Sequence, residues 1–246
     1  SKLYEKRVLK ATKQIDRPFE IVNIEDLTKD ASGMPSAFKS PVKPEDICAI
    51  IYTSGTTGPP KGVIHTHKAC VRMGLRSLGI LETTADDRIH VYLPLFHIWA
   101  YIITLGAMYF NASIYVDDKF NVQTYWDDID KYAITQEHWT GTVPLALMKR
   151  PHAEADKSRK MRVYGTFGSL YDSMKQRWPG MSFQSLYGQT EHPAATAVPA
   201  GEMRQGTDGV PVEPDEIVII GDKGQRMPVG KTGEIVICCR CGVRFM

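Results

Sequence analysis

The stretch YTSGTTGPPKG, residues 52–62, does more than any other to limit what this chain can fold into. Ahead of it runs Ile47-Cys48-Ala49-Ile50-Ile51-Tyr52, a short β-branched segment that reads as a buried strand. Behind it Val63-Ile64-His65 reads as a second extended piece, so the stretch is a loop between two strand-like runs. Gly55, Gly58 and Gly62 let the backbone turn tightly and bring its N–H groups up to an anion. Thr53, Ser54, Thr56 and Thr57 add hydroxyl donors, and Lys61 adds a positive charge. That is a donor set for phosphate. A Walker loop needs its lysine at the opening of a helix, whereas Lys61 follows Pro59-Pro60 and precedes Gly62 and a strand-like run. The bland alternatives are a solvated Gly/Thr turn and a surface lysine.

Further along, strand and helix signals alternate. Thr66 is placed to cap a helix whose Val71, Leu75 and Leu78 share a face. A strand is expected over residues 88–93, a buried helix over Ile98 to Phe110, and a strand from Ser113 to Val116. Val122, Trp126, Ile129 and Ala133 recur at helical spacing; Ile134-Thr135 reads as strand, and Pro144 marks a helix start. Leu170, Met174 and Trp178 mark one more helix, closed by Pro179-Gly180 before a strand from Ser182 to Leu186. The alternation predicts an α/β fold, a sheet covered by helices. The tail changes character: Glu216 to Ile220 and Glu234 to Cys238 are strand runs around the turn-rich GDKGQRMPVGKTG, the pattern of a β meander.

With 246 residues, 43% of them hydrophobic, the chain can bury one or two cores. A net charge of +2, from 30 basic and 28 acidic residues, gives no nucleic-acid footprint, which points to a small-molecule partner. Five cysteines are too few for a disulfide scaffold at this length, so a reducing, cytoplasmic setting is expected. Cys238, Cys239 and Cys241 are either metal ligands or thiols in or after a buried strand; zinc wants four ligands and no second Cys/His cluster completes the set. No run has the apolar length of a transmembrane segment. The start at Ser1 and the end just after a strand-like run lead us to expect a segment of a longer protein.

Residues 52–63 resemble the signature of the adenylate-forming superfamily, which includes acyl-CoA synthetases, luciferases and peptide-synthetase adenylation domains. Leu93-Pro94-Leu95-Phe96-His97 is similar to that family's second core motif, Tyr187-Gly188-Gln189-Thr190-Glu191 to its YGxTE motif, and Gly233-Glu234-Ile235 to a later strand. Within the superfamily, residues 131–151 most resemble carboxylate ligases of the crotonobetaine/carnitine-CoA type. The fold so implied is the central portion of the large domain, a helix-covered mixed sheet with a β-rich C-terminal segment. Residues 1–46 would be a leading segment and linker, 47–200 the α/β core that binds ATP and carboxylate, and 201–246 a β-rich subdomain cut before the family's mobile C-terminal domain.

The implied activity is an AMP-forming carboxylate–CoA ligase using ATP, Mg2+ and CoA. By resemblance, Thr53 to Gly58 cradle the outer phosphates, with Lys61 neutralising charge. Thr190 bonds the α-phosphate, Glu191 holds the magnesium, and Tyr187, with Gly188 and Gln189, lies against adenine. His97 sits where carboxylate meets phosphate, or is an ordinary core histidine. Trp99, Trp139, Thr140, Gly141 and Thr142 line the acyl pocket or belong to the core. Gly165-Thr166-Phe167 departs from the family's usual adenine segment, and Phe167 either stacks on adenine or fills a nucleotide pocket no longer used. Two rivals stand beside this reading: a truncated, non-catalytic remnant that binds nucleotide or a protein partner, and an unrelated phosphotransferase that would release ADP.

Overall fold

The computed structural model describes residues 41–53, 59–165, 167–199, 201–238 and 244–245. The chain divides into two units, Ser1–Val42 and Lys43–Met246, and every element described belongs to the second. Ser54, Gly55, Thr56, Thr57, Gly58, Thr166, Cys239 and Cys241 lie outside the described residues.

The first two strands, β1 (Ile47–Thr53) and β2 (Lys61–Thr66), form an antiparallel hairpin, with the two-residue strand β12 (Arg244–Phe245) on the far side of β2. β1 was expected to be buried. Instead Ile47, Ile50 and Tyr52 are exposed and Ile51 alone is buried, because this strand is the edge of a small antiparallel sheet outside the main one.

Helix α1 (His67–Ile80) follows directly, its first turn capped by Thr66 Oγ1 accepting from the Ala69 N–H at 3.2 Å. Its buried face is Cys70, Met73, Gly74, Ser77 and Leu78, so of the expected stripe Leu78 is buried and Val71 points to solvent. The reason is the crossing with α2 (Ile98–Phe110), where the helices meet at two glycines: a Cβ on Gly74 would lie 2.8 Å from the Ile102 carbonyl, and one on Gly106 2.8 Å from that of Gly74. Backbones this close turn the small residues inward.

The main sheet has seven strands in the order β4-β3-β5-β6-β7-β8-β9. β3 (Arg88–Val91), β4 (Ser113–Val116), β5 (Gln136–Trp139), β6 (Arg162–Gly165) and the first half of β7 (Ser182–Gln189) run parallel. The second half of β7 pairs antiparallel with β8 (His192–Ala197), and β9 (Val210–Pro211) follows β8 antiparallel. β10 (Glu216–Ile220) and β11 (Glu234–Cys238) form the expected separate antiparallel pair. Cys238 ends β11 exposed, and among the described residues no group of His, Cys, Asp or Glu could hold a metal ion.

Helices cover both faces of the sheet. On one, α3 (Tyr125–Lys131), α4 (Thr142–Met148) and α5 (Tyr171–Arg177) pack Trp126, Val143, Leu147 and Met174 around Trp139, Val163, Trp178 and Phe183. On the other, Leu78, Ile103 and Ala107 of α1 and α2 meet Ile89, Val91, Tyr164 and Leu186. Val163 and Tyr164 face opposite cores, as the two-residue period of a strand requires. The helix expected around Val122 to Ala133 is confined to α3, because Ala133 adopts φ +50° and ends it. The strand expected at Ile134-Thr135 begins at Gln136. Among the described residues, no helix is long and apolar enough to cross a membrane.

Candidate active site

A cavity of about 320 Å³ opens at the carboxyl ends of the parallel strands. That is where open α/β sheets hold their ligands, since the chain leaves each strand there into a loop free to carry chemistry. Its wall comes from stretches far apart in sequence: His97, Ile98 and Trp99 at the start of α2, His138 to Gly141 at the end of β5, Gly165 at the end of β6, and Leu186 with Gly188 to Thr190 on β7 and its turn. Of the residues singled out from sequence, His97, Trp99, Trp139, Thr140, Gly141, Gly165, Gly188, Gln189 and Thr190 line this one space. Thr53, Lys61, Thr142, Phe167, Tyr187 and Glu191 do not line it.

His97 caps α2. Its Nδ1 accepts from the Trp99 N–H at 3.2 Å, so the neutral ring carries its proton on Nε2. The residue is exposed at the cavity mouth, yet enough protein surrounds the ring to push its pKa below the ordinary histidine value. A neutral ring with a fixed donor can bond an oxygen in the cavity. Trp99 meets the His138 ring edge-on, centroids 5.6 Å apart. Trp139 is buried, and its indole N–H donates to the Tyr125 hydroxyl at 2.7 Å. Phe167 lies in the core edge-on to Phe183, with centroids 5.8 Å apart and 3% exposure, so no ring face is offered to a flat base.

At the base of the first hairpin Thr53 pairs with Lys61 across β1 and β2, and Thr53 Oγ1 donates to the Lys61 carbonyl at 3.4 Å. Lys61 is exposed at that base. Two positions on, Val63 and His65 are fully buried, and neither His65 ring nitrogen has a hydrogen-bond partner. Burial lowers the His65 pKa while the charge of Glu191 acts to raise it, which puts Glu191 within electrostatic reach of the hairpin that carries the loop. Glu191 itself occupies, with Thr190, the two-residue turn between β7 and β8, where Gln189 pairs with His192. The register slips between Tyr187 and Gln189; a Cβ on Gly188 would lie 2.1 Å from the Pro193 carbonyl, so the bulge requires glycine and swings Gln189 and Thr190 toward the cavity.

Beneath the cavity lies a buried polar layer that sequence reading missed. His90 Nδ1 meets Glu137 Oε1 at 2.5 Å in a site closed to solvent. Burial pulls the His90 pKa down, but the hydrogen bond and charge of Glu137, with those of Asp117 and Asp128, outweigh it and leave the pKa above the ordinary value. Tyr92 donates to the His138 carbonyl at 2.7 Å and accepts from the Thr140 N–H at 3.3 Å, so the residue just after β3 fixes the backbone that forms the cavity wall. Burial and the charge of Glu137 push the Tyr92 and Tyr125 hydroxyls up, leaving both neutral. The available signal was a strand segment, Gln136-Glu137-His138-Trp139, that is mostly polar yet flanked by core elements.

Comparison with known proteins bears on the family and the fold. The sequence model described as AMP-binding enzyme matches residues 2–241. 4-Coumarate–CoA ligase 4 of Arabidopsis thaliana is 30% identical over 215 residues, 81% of this chain and 38% of that protein. Among solved structures, the O-succinylbenzoate coenzyme A synthetase MenE of Bacillus subtilis, in complex with ATP and magnesium ion, superposes with a TM-score of 0.67 at 25% identity, covering 80% of this chain and 42% of that one. The N-terminal domain of FACL13 from Mycobacterium tuberculosis shares the fold, with a TM-score of 0.79 at 20% identity over 94% of this chain and 61% of that one. The chain thus spans about two fifths of the length of the 4-coumarate–CoA ligases it matches.

Proposed function

We propose, for a chain that belongs to the family of AMP-binding enzymes, that it is the ATP- and carboxylate-binding core of an AMP-forming acid–CoA ligase. The observation that carries this is the convergence of His97, Gly188 to Thr190 and Thr140-Gly141 on one cavity, although the motifs that contain them are far apart in sequence. In the first step a carboxylate oxygen attacks the α-phosphorus of ATP and pyrophosphate leaves; in the second the CoA thiolate attacks the acyl carbon and AMP leaves.

Both reactants of the first step are anions. At about 4 Å two like charges repel by ~1 kcal/mol in water and by ~4 kcal/mol at an effective dielectric of 20, so a partly closed site needs compensating charge and donors. The residues present fit that need. Lys61 at the base of the loop supplies a cation, the His97 Nε2–H a neutral donor for the acid, and the Thr190 hydroxyl a donor at the cavity wall. Glu191, a carboxylate on the adjoining turn, is the group that would hold Mg2+, which when bound would neutralise phosphate charge. Tyr187 and the Gly165 edge would flank adenine, while Trp99, Trp139, Thr140 and Gly141 would border the acid, which we assign to small and medium carboxylates.

The test is product identity. Supplied with ATP, Mg2+ and a panel of carboxylates, the chain should release pyrophosphate and form AMP, and acyl-CoA when CoA is added. ADP as product would overturn the ligase reading in favour of phosphotransfer. ATP binding with no pyrophosphate release from any acid would favour a non-catalytic nucleotide-binding remnant.

A further inference from the structure

Away from the cavity, two thiols meet where β1 packs on α1. Cys48 and Cys70 are both free, and their Sγ atoms stand 3.3 Å apart. Cys70 belongs to the apolar cluster of Ala69, Met73, Ile98 and Ile102 and is 1% exposed, whereas Cys48 packs against that cluster and is half-buried. A small oxidant arriving from solvent therefore meets Cys48 first. The register of the first hairpin shifts between Ile47 and Ala49, so Cys48 sits in a bulge and pairs with no residue of β2. A bulge re-aims the side chain it carries, and this one is directed at the helix. Two cysteines can also serve merely as small apolar fillers of a core. What separates the readings is whether the sulfurs react with each other.

A disulfide holds its sulfurs about 2.05 Å apart, so closing this pair takes about 1.2 Å of approach. The bulge residue, outside the strand ladder, is the one placed to give. Burial foremost, then the hydrogen bond and charge of Cys48, pushes the Cys70 thiol up, so Cys70 stays protonated at neutral pH and is slow to react with an oxidant by itself. We propose that Cys48 and Cys70 form a reversible dithiol site, in which a peroxide oxidises Cys48 and Cys70 then closes a disulfide that ties β1 to α1. The Cys48 thiolate attacks a peroxide oxygen, the O–O bond breaks and hydroxide leaves, giving a sulfenic acid on Cys48. The Cys70 sulfur attacks the sulfenic sulfur, the S–O bond breaks, and the hydroxyl departs with the Cys70 proton as water. Two thiols and one hydrogen peroxide thus become one disulfide and two waters, and a dithiol reductant reverses the change by exchange. β1 ends at Thr53, where the motif stretch begins, and α1 follows β2 directly, so the bond joins the strand entering the hairpin to the helix leaving it. The site does not depend on the ligase reading.

The test uses the full chain with Cys238, Cys239 and Cys241 replaced by serine, which leaves the pair as its two thiols. Treated with a small excess of hydrogen peroxide, this chain should lose both thiols, and dithiothreitol should return them. Mass spectrometry of a non-reduced digest should find the Cys48 and Cys70 peptides joined with the loss of two hydrogens, and the unmodified chain treated alike should yield the same joined peptides. The oxidised chain should melt about 5 °C above the reduced one, because the bond closes a loop in the unfolded chain. With Cys70→Ser added, Cys48 should accumulate as a sulfenic acid that dimedone traps; with Cys48→Ser added, Cys70 should stay reduced at the same dose. The joined peptides are read on chains that keep both cysteines, so that result stands whether or not either serine variant folds. Oxidation of Cys48 to a sulfinic acid beside a reduced Cys70 would overturn the proposal, as would disulfides that link separate copies of the chain. Equal melting temperatures for the two forms would show that the bond does not tie the two elements and would overturn it as well.

Discussion

Lys61 and Glu191 lie on different hairpins and belong to none of the three hydrophobic clusters, and that separation makes them informative to change. Lys61 is exposed beside Thr53, and Glu191 stands in a two-residue turn. Replacing either by alanine should shift stability by no more than about 0.5 kcal/mol, as at other surface positions. If they supply charge to a polyphosphate, each change should lower ATP-dependent pyrophosphate release by about 100-fold, the scale of one lost electrostatic contact at a reacting centre. Pyrophosphate release at the original rate in either variant would remove that residue from the site. Glu137 is the opposite case. It is fully buried against His90, so Glu137→Gln leaves that histidine without its nearest counter-charge, Asp117 standing farther off at 3.8 Å. We expect a loss of about 3 kcal/mol in denaturant unfolding and a fall in the His90 pKa by NMR titration. An unmoved His90 would show that Glu137 does not set its charge.

The crossing of α1 and α2 offers a test at the level of elements. Alanine ordinarily stabilises a helix over glycine by about 1 kcal/mol. At Gly74 the added methyl would lie 2.8 Å from the Ile102 carbonyl and 3.1 Å from the Gly106 nitrogen, both backbone, so the helices must part. Gly74→Ala should therefore destabilise by about 1 to 2 kcal/mol net of propensity. Gly79→Ala on the same helix meets only Phe110 Cζ at 3.9 Å and should stabilise by about 0.5 to 1 kcal/mol. Matching changes in melting temperature for the two variants would refute the close approach. The same crossing shows what sequence could and could not disclose. The two strands that flank the motif loop were legible because their signals are local: apolar and β-branched runs adjacent in sequence on either side of a glycine-rich stretch. The face of α1 was not, because what turned Gly74 inward was Gly106 on another helix. β5 was misplaced for a related reason. Gln136, Glu137 and His138 are polar, and only partners brought in by folding, Thr83, His90 and Tyr92, make them core residues.

For the molecule as a whole, the buried histidines predict how stability follows pH. His65, His97, His138 and His192 have pKa values below the ordinary 6.5, desolvation being the largest cause for each. At His192 the nearby Arg76 adds to that lowering, and Asp215 opposes both. Below about pH 6.5 the unfolded chain takes up protons at these positions that the folded chain refuses, so stability must fall as pH falls. His90 runs the other way: its pKa is raised, so its contribution is complete below 6.5 and disappears as pH climbs through the raised value. His138 is the steepest element on the acid side. With a folded value of about 3 against 6.5 unfolded, it alone removes about 2 kcal/mol between about pH 7 and pH 5. The carboxylate Asp87, whose pKa lies below 3.8, titrates beneath that window and does not obscure it: burial raises it, and bonds from Arg162, Thr84 and Thr135 more than reverse the effect. Denaturant unfolding at a series of pH values, on the parent and on His138→Phe, separates this term from the general cost of the substitution, because the cost is common to all pH values and the slope is not. The variant should lose about 2 kcal/mol less than the parent across the window. Parallel curves would mean that His138 takes up its proton in the folded chain as readily as in the unfolded one, and that the wall of the cavity is wet where the structure makes it dry.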